Sequence, residues 1–284
     1  MKKTTSDTFE RPSGLSQIAD QYDALFVDIW GVIHNGREPF LEACHALETY
    51  RQERGPVILI SNSPRPSVAI PEQFNQIGVR GEIYDAIVTS GDATIDELAR
   101  RAPGPCFNIG PERDEVIYEN LEMHFSDLAD AAFISCTGLF DDATETPDDY
   151  TELLGQARDL GLPLVCANPD IKVIRGDVEI YCGGAIAQKY EDMGGEVIYA
   201  GKPHPPIYRL CRAWLQNIMG YDIPKDRILC IGDNIHTDLL GAQQEDYDCY
   251  FVQDGLKIDM TDDFINILKK HNISARYLTD KLRW

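Results

Sequence analysis

No stretch of this 284-residue chain holds the roughly 18 consecutive apolar residues that a membrane-spanning helix requires. The first residues, MKKTTSDTFERPSG, carry two lysines with no apolar core behind them, so they read as a polar lead-in rather than a secretory signal. Basic residues are scarce: 26 Lys and Arg stand against 47 Asp and Glu, a net charge of -21. Nucleic acid and anionic membrane both need a basic face, so neither is an expected partner. A small anionic substrate stays open, because a local metal and lysine overrule the global field. The acid is not gathered into a tail, although it clusters from Asp141-Asp142 through Asp149. No CxxC pair occurs among the eight cysteines. Most of them sit inside apolar runs such as Phe133-Ile134-Ser135-Cys136 and Ile228-Leu229-Cys230-Ile231, the usage of reduced, buried thiols in a cytoplasmic protein. There is no internal repeat, heptad run or low-complexity tract.

What the chain does have is an alternation of short apolar runs and amphipathic stretches. Ala24–Val27 reads as a strand buried on both faces, with Asp28 at its end, Gly31 close behind and an Asn35-Gly36 turn. Taken alone, Asp28 is either a ligand-binding carboxylate or a cap on the following loop. A helix is expected over Pro39–Glu53, stopped by Gly55-Pro56, and a second buried strand over Val57–Ile60, closing on Ser61-Asn62. This opening of strand, helix, strand and helix predicts a parallel α/β sheet with covered faces. After a strand at Tyr84–Thr89 and a helix at Ala93–Arg101, with Asp92 or Ser90 as its cap, the breaker cluster Ala102-Pro103-Gly104-Pro105 changes the rhythm. Strands at Cys106–Ile109, Ala131–Cys136 and Leu164–Ala167 and a helix from Thr146 to Leu160 suffice for a small α/β unit of their own. The expected organisation is a core built from residues 1–88 and 186–284, interrupted by a cap at 89–185. In the second half, strands are expected at Glu196–Ala200, Arg227–Ile231 and Tyr247–Val252, and helices at Pro206–Ile218 and Asp262–Lys270.

Four of the apolar strands end in polar residues: Asp28, Ser61-Asn62, Lys202 and Asp233. In a parallel sheet such ends share one edge, the edge where ligands bind. Two carboxylates side by side repel unless a cation lies between them, and hard oxygen ligands favour Mg²⁺ over zinc. Lys202 can neutralise a phosphate or orient a nucleophilic carboxylate, Ser61 and Asn62 can donate to phosphate oxygens, and Asp238 is spaced to orient the lysine or a metal-bound water. Such a set suits phosphoryl transfer with an aspartate nucleophile.

Four motifs in order, FVDIWGV (26–32), ILISNS (58–63), GKPHPPIY (201–208) and LCIGDNIHTDLLGA (229–242), resemble the haloacid dehalogenase-like hydrolase superfamily. The gap between the second and third, and the segments CANPDIKVIRG (166–176) and YCGGAIAQKY (181–190), are similar to its class IIA branch of nucleotide and sugar phosphatases with a large C2-type cap. The resemblance implies a Rossmann-like core and an aspartyl-phosphate formed on Asp28. It implies Mg²⁺ held by Asp28, Asp233 and the carbonyl of Trp30, with Asn234 and Asp238 behind them. It also implies Ser61 on the phosphoryl group, Lys202 beside the nucleophile, and Asn168 and Asp170 of the cap near the leaving group. The substrate would be a small phosphorylated metabolite, and a homodimer through the cap is the expected assembly. One departure matters. Phosphatases of the family carry a second Asp two residues after the nucleophile, where this chain has Trp30, and an indole can neither protonate a leaving oxygen nor activate water. Three outcomes remain: His34 or Asp170 supplies the proton, only esters with good leaving groups turn over, or the site binds without turnover. Trp30 itself reads as packing or as a platform for a substrate ring. His34 in its turn reads as solvated, His204 and His236 as helix-start residues, Thr237 as an N-cap, and Gly138–Asp142 as a turn or a substrate contact.

Overall fold

The computed structural model describes residues 9–175, 178–253, 266, 268–270 and 272–284. Most of the helix expected over Asp262–Lys270 lies outside the described residues. In chain order the strands are β1 (Ala24–Asp28), β2 (Val57–Ser61), β3 (Ala86–Thr89), β4 (Cys106–Ile109), β5 (Phe133–Cys136), β6 (Leu164–Cys166), β7 (Lys172–Arg175), β8 (Val178–Tyr181), β9 (Val197–Tyr199), β10 (Ile228–Gly232), β11 (Asp248–Val252) and β12 (Tyr277–Thr279). The helices are α1 (Leu41–Glu53), α2 (Ile70–Ile77), α3 (Ser90–Ala99), α4 (Thr151–Asp159), α5 (Gly183–Asp192), α6 (Pro205–Met219) and α7 (Leu240–Gln244). The architecture is α/β, a Rossmann-like parallel-sheet core with an inserted smaller α/β cap, and it forms two compact units.

The first unit gathers Met1–Ser61, Ile70–Val88 and Tyr208–Trp284. Its six-stranded sheet runs β12-β11-β10-β1-β2-β3. The pairs on either side of β1 are parallel, with Phe26 level with Ile58 on β2 and with Cys230 on β10. All five residues of β1, β2 and β10 are buried, which is why these strands read as unbroken apolar runs. The chain works outward from β1 through β2 and β3, then returns on the other side with β10. The β1/β10 boundary is therefore the topological switch point, where strand ends leave a crevice. The tail, for which the pattern gave no element, supplies β12, pairing Tyr277 with Tyr250.

The second unit gathers Asn62–Ala69 and Thr89–Ile207. Its parallel sheet runs β4-β5-β6-β9, and β7 and β8 form a separate antiparallel hairpin. Strand residues alternate between two apolar clusters. Ile134, Cys136, Leu164 and Cys166 pack with Leu154 of α4 and Ile186 of α5, while Phe133, Val165 and Ala167 pack with Leu98 of α3. Both faces of this sheet are thus covered within the unit. The sequence expectation ended the cap at residue 185. The second unit instead continues to Ile207, because β9 hydrogen-bonds beside β6, pairing Val165 with Ile198. α3 is capped by Thr89, whose side chain accepts from the Asp92 amide while Asp92 accepts in return, so Asp92 is the partner of the cap and not the cap itself.

Candidate active site

In the first unit, Asp28 closes β1 and Asp233 follows β10 directly, so the switch point brings together two acids remote in sequence. Asp238 reaches the same place from a π-helical turn, Ile235–Leu239. Asp28, Asp233 and Asp238 are only 7, 8 and 4 % exposed. Each offers a carboxylate oxygen within 4.8 Å of the others. Asp238 is therefore a third member of the carboxylate group. Its Oδ2 accepts from the Asn234 amide at 3.1 Å. Asn234 is the N-cap of that turn, accepting from the His236 and Thr237 amides at 2.8 and 3.3 Å, so the cap lies three residues before Thr237.

Two glycines make the convergence possible. A Cβ on Gly31 would fall 1.9 Å from Asp233 Oδ2, and one on Gly232 would fall 2.2 Å from Asp238 Cγ. Between them the loop after β1 turns back on itself: the His34 amide and carbonyl pair with the Ile29 carbonyl and the Gly31 amide, leaving the Trp30 carbonyl outside that bridge. The Trp30 indole is seated against Gly36 and stands edge-on to the His34 ring at 5.3 Å. His34, expected in solvent, is fully buried, with its ring also edge-on to Phe74. The correction has a local cause: the Asn35-Gly36 turn folds the Gly36 amide onto His34 Nδ1 at 3.0 Å and draws the ring inward. Burial pushes the His34 pKa down to about 4. The imidazole is thus neutral at pH 7 and, with Nδ1 accepting, carries its proton on Nε2.

In the second unit, Lys202 is almost wholly buried, and its backbone is gripped by Asn62. Asn62 Oδ1 accepts from the Lys202 amide at 2.7 Å, and Asn62 Nδ2 donates to the Lys202 carbonyl at 3.0 Å and to Asp170 Oδ1 at 2.9 Å. Both amide hydrogens of Asn62 are thereby engaged, holding the Lys202 backbone and the Asp170 carboxylate. Asn168 Oδ1 accepts from the Asp170 amide at 3.0 Å and shapes the turn that presents the carboxylate. Gly184 and Gly201 leave room for that turn, since a Cβ on either would press on Pro169. His204 stacks on Tyr199 at 4.6 Å just before α6. Asp141 closes a local turn, accepting from the Ala143 amide and the Thr144 hydroxyl. Ser61, in the first unit, is buried at the end of β2. The motif glycines were visible in the sequence, but the oxygen atoms they make room for are visible only in three dimensions.

A parallel sheet with acids converging at its switch point, interrupted by a second α/β unit, defines a hydrolase-type α/β enzyme fold. The chain matches the family model for haloacid dehalogenase-like hydrolases over residues 25–124 and a second model, HAD-hydrolase-like, over 199–274. A hydrolase of the haloacid dehalogenase-like family from Brucella suis 1330 is 42% identical, with a TM-score of 0.83, covering 88% of this chain and 95% of that one. This chain belongs to the haloacid dehalogenase-like hydrolase superfamily, with the class IIA type of architecture. More distant structures share the fold. A possible sugar phosphatase from Cytophaga hutchinsonii has a TM-score of 0.79 at 17% identity over 96% of this chain and 98% of that one. A p-nitrophenyl phosphatase from Archaeoglobus fulgidus has 0.71 at 22% identity over 92% and 97%. No curated protein matches the chain. No helix among the described residues is long and apolar enough to cross a membrane.

Proposed function

We propose that this protein is a Mg²⁺-dependent phosphoric monoester hydrolase that acts on a small phosphorylated metabolite through an aspartyl-phosphate on Asp28. The observation that carries this reading is the convergence of three buried carboxylates at the switch point. Three carboxylates this close repel one another without a cation, and their all-oxygen donor set fits Mg²⁺. Asp28, Asp233, the Trp30 carbonyl and Asp238 would hold the ion, Asp238 directly or through water. When bound, it neutralises charge on the phosphoryl group. The Asp28 carboxylate attacks phosphorus in line, while the Lys202 ammonium and the Ser61 hydroxyl hold phosphoryl oxygens. Asn62 fixes Lys202 for this task, and Asn168 and Asp170 meet the leaving group. Water then cleaves the aspartyl-phosphate and regenerates Asp28. The phosphatase names carried by two of the distant structures agree with this chemistry. Eight free cysteines suit a cytoplasmic enzyme.

Protonation of the leaving oxygen is the weak step. Trp30 cannot supply a proton and His34 is buried and neutral, so Asp170 is the remaining candidate of the two. General acid catalysis is worth about 10²–10⁴-fold, so alkyl phosphates are expected to turn over slower than para-nitrophenyl phosphate by a factor in that range. The test is hydrolysis of para-nitrophenyl phosphate with Mg²⁺ or with EDTA, alongside Asp28→Asn. Mg²⁺-dependent turnover lost in the variant supports the enzyme. The seat of Trp30 on Gly36, where the family places an acid nearby, favours a second reading, a phosphometabolite-binding protein without turnover. Absence of turnover across a broad phosphate panel, with Mg²⁺-dependent ligand binding retained, selects that reading over the first.

A further inference from the structure

The second unit contains a pocket of about 520 Å³ at the β4 edge of its sheet, at the opposite edge from β9 and the Lys202 that follows it. Its walls are aromatic: Phe107 of β4, Tyr118 at the end of the 3-10 helix Glu112–Tyr118, and Phe125. The Tyr118 and Phe125 rings meet at 5.0 Å and 80°, forming a corner. The corner is held rigid from both sides. The Tyr118 hydroxyl donates to Asn108 Oδ1 at 2.7 Å and accepts from the Ser135 hydroxyl at 2.8 Å. The backbone on either side of Phe125 is stitched to Cys106, which donates to the His124 carbonyl at 2.8 Å and accepts from the Ser126 amide at 3.0 Å. Even so, Phe125 is 52% exposed, a large ring held open to solvent. Glu115 and Glu119, four residues apart, line the same pocket, and both are exposed. Neither carboxylate has an ion pair or side-chain hydrogen bond among the described residues.

Ring faces attract cations, the Phe125 ring is half open to solvent, and flanking carboxylates add full negative charge. The volume is that of a small-molecule site. We propose that this pocket binds a small organic cation, with an alkylated ammonium group in the Tyr118–Phe125 corner and Glu115 and Glu119 beside it. The proposal does not rest on the phosphatase reading.

The test is titration calorimetry of the full chain with choline and with its neutral carbon isostere, 3,3-dimethylbutan-1-ol. Choline is expected to bind at least about tenfold more tightly than the isostere. Binding is expected to weaken about tenfold in the pair Glu115→Gln with Glu119→Gln, and about fivefold in Phe125→Ala, as loss of one exposed cation–π contact implies. These substitutions lie at the surface, and an unchanged thermal midpoint checks that they fold. Equal affinity for the two probes, no choline binding up to about 10 mM against the millimolar scale of weak contacts, or binding that none of the three substitutions alters overturns the proposal.

Discussion

Gly31 has two independent reasons to lack a side chain: its φ of 82°, and the Asp233 carboxylate where a Cβ would sit. Gly31→Ala therefore strains the loop and displaces a proposed metal ligand together. A Mg²⁺ dissociation constant raised at least about tenfold, measured by calorimetry, is the expected outcome, since left-handed backbone alone costs a side chain roughly 1–2 kcal/mol. Trp30→Asp restores the acid that the family places there and removes an indole packed on Gly36 and His34. Its kcat on alkyl phosphates is expected to rise while stability falls by about 2 kcal/mol, less than for a fully buried aromatic, as urea unfolding would show. An unchanged kcat would mean that the missing proton donor does not limit turnover. The convergence of Asp28 and Asp233 was legible because each follows an apolar run that forms a strand, β1 and β10. The place of His34 was not, because burial of a turn side chain depends on partners such as Phe74 that no local pattern names. The grip of Asn62 on Lys202 and Asp170 was not legible, since its three bonds reach residues far along the chain.

Among the elements, α3 depends on the reciprocal Thr89–Asp92 cap. Thr89→Ala is expected to cost about 1 kcal/mol, visible as a lowered urea midpoint. The starts of β1 and β10 are tied by Asp23 and Arg227, whose guanidinium donates to both carboxylate oxygens. The Arg227 hydrogen bonds hold the Asp23 carboxyl below its ordinary value. The stabilisation this gives is complete above the unfolded carboxyl's value of about 4 and is lost as pH falls through the lower folded value. Asp23→Asn should accordingly be less stable than the parent at pH 7, with the gap closing in acid below about pH 4 in urea titrations. Strand positions were mostly readable, whereas sheet membership was not. An apolar triplet such as Val197–Tyr199 encodes burial, and only its hydrogen-bond partner, β6, assigns it to the second unit. The β7–β8 hairpin gave no pattern of its own because Lys172, Val178 and Glu179 face solvent.

Across the molecule, the concentration of acid at the switch point sets the response to metal. Mg²⁺ should raise the thermal midpoint and EDTA should reverse the rise, because a ligand bound only by the native state stabilises it. Asp233→Asn should raise the midpoint of the metal-free protein by relieving repulsion and abolish the response to Mg²⁺. A variant that still responds fully would remove Asp233 from the ion. The strand order also carries a consequence for synthesis. β1 and β2 are translated in succession, yet the other partner of β1, β10, follows only after the whole second unit. Until then β1 is paired on the β2 side alone and its other edge, a row of unsatisfied amides and carbonyls, is open to any neighbouring strand. A nascent chain stopped short of Ile228 would hold its nucleophile with neither Asp233 nor Asp238 beside it. Phosphoryl chemistry of the proposed kind is thus withheld until β10 and the turn after it have been translated, and the β1 edge is the surface a chaperone has most reason to shield.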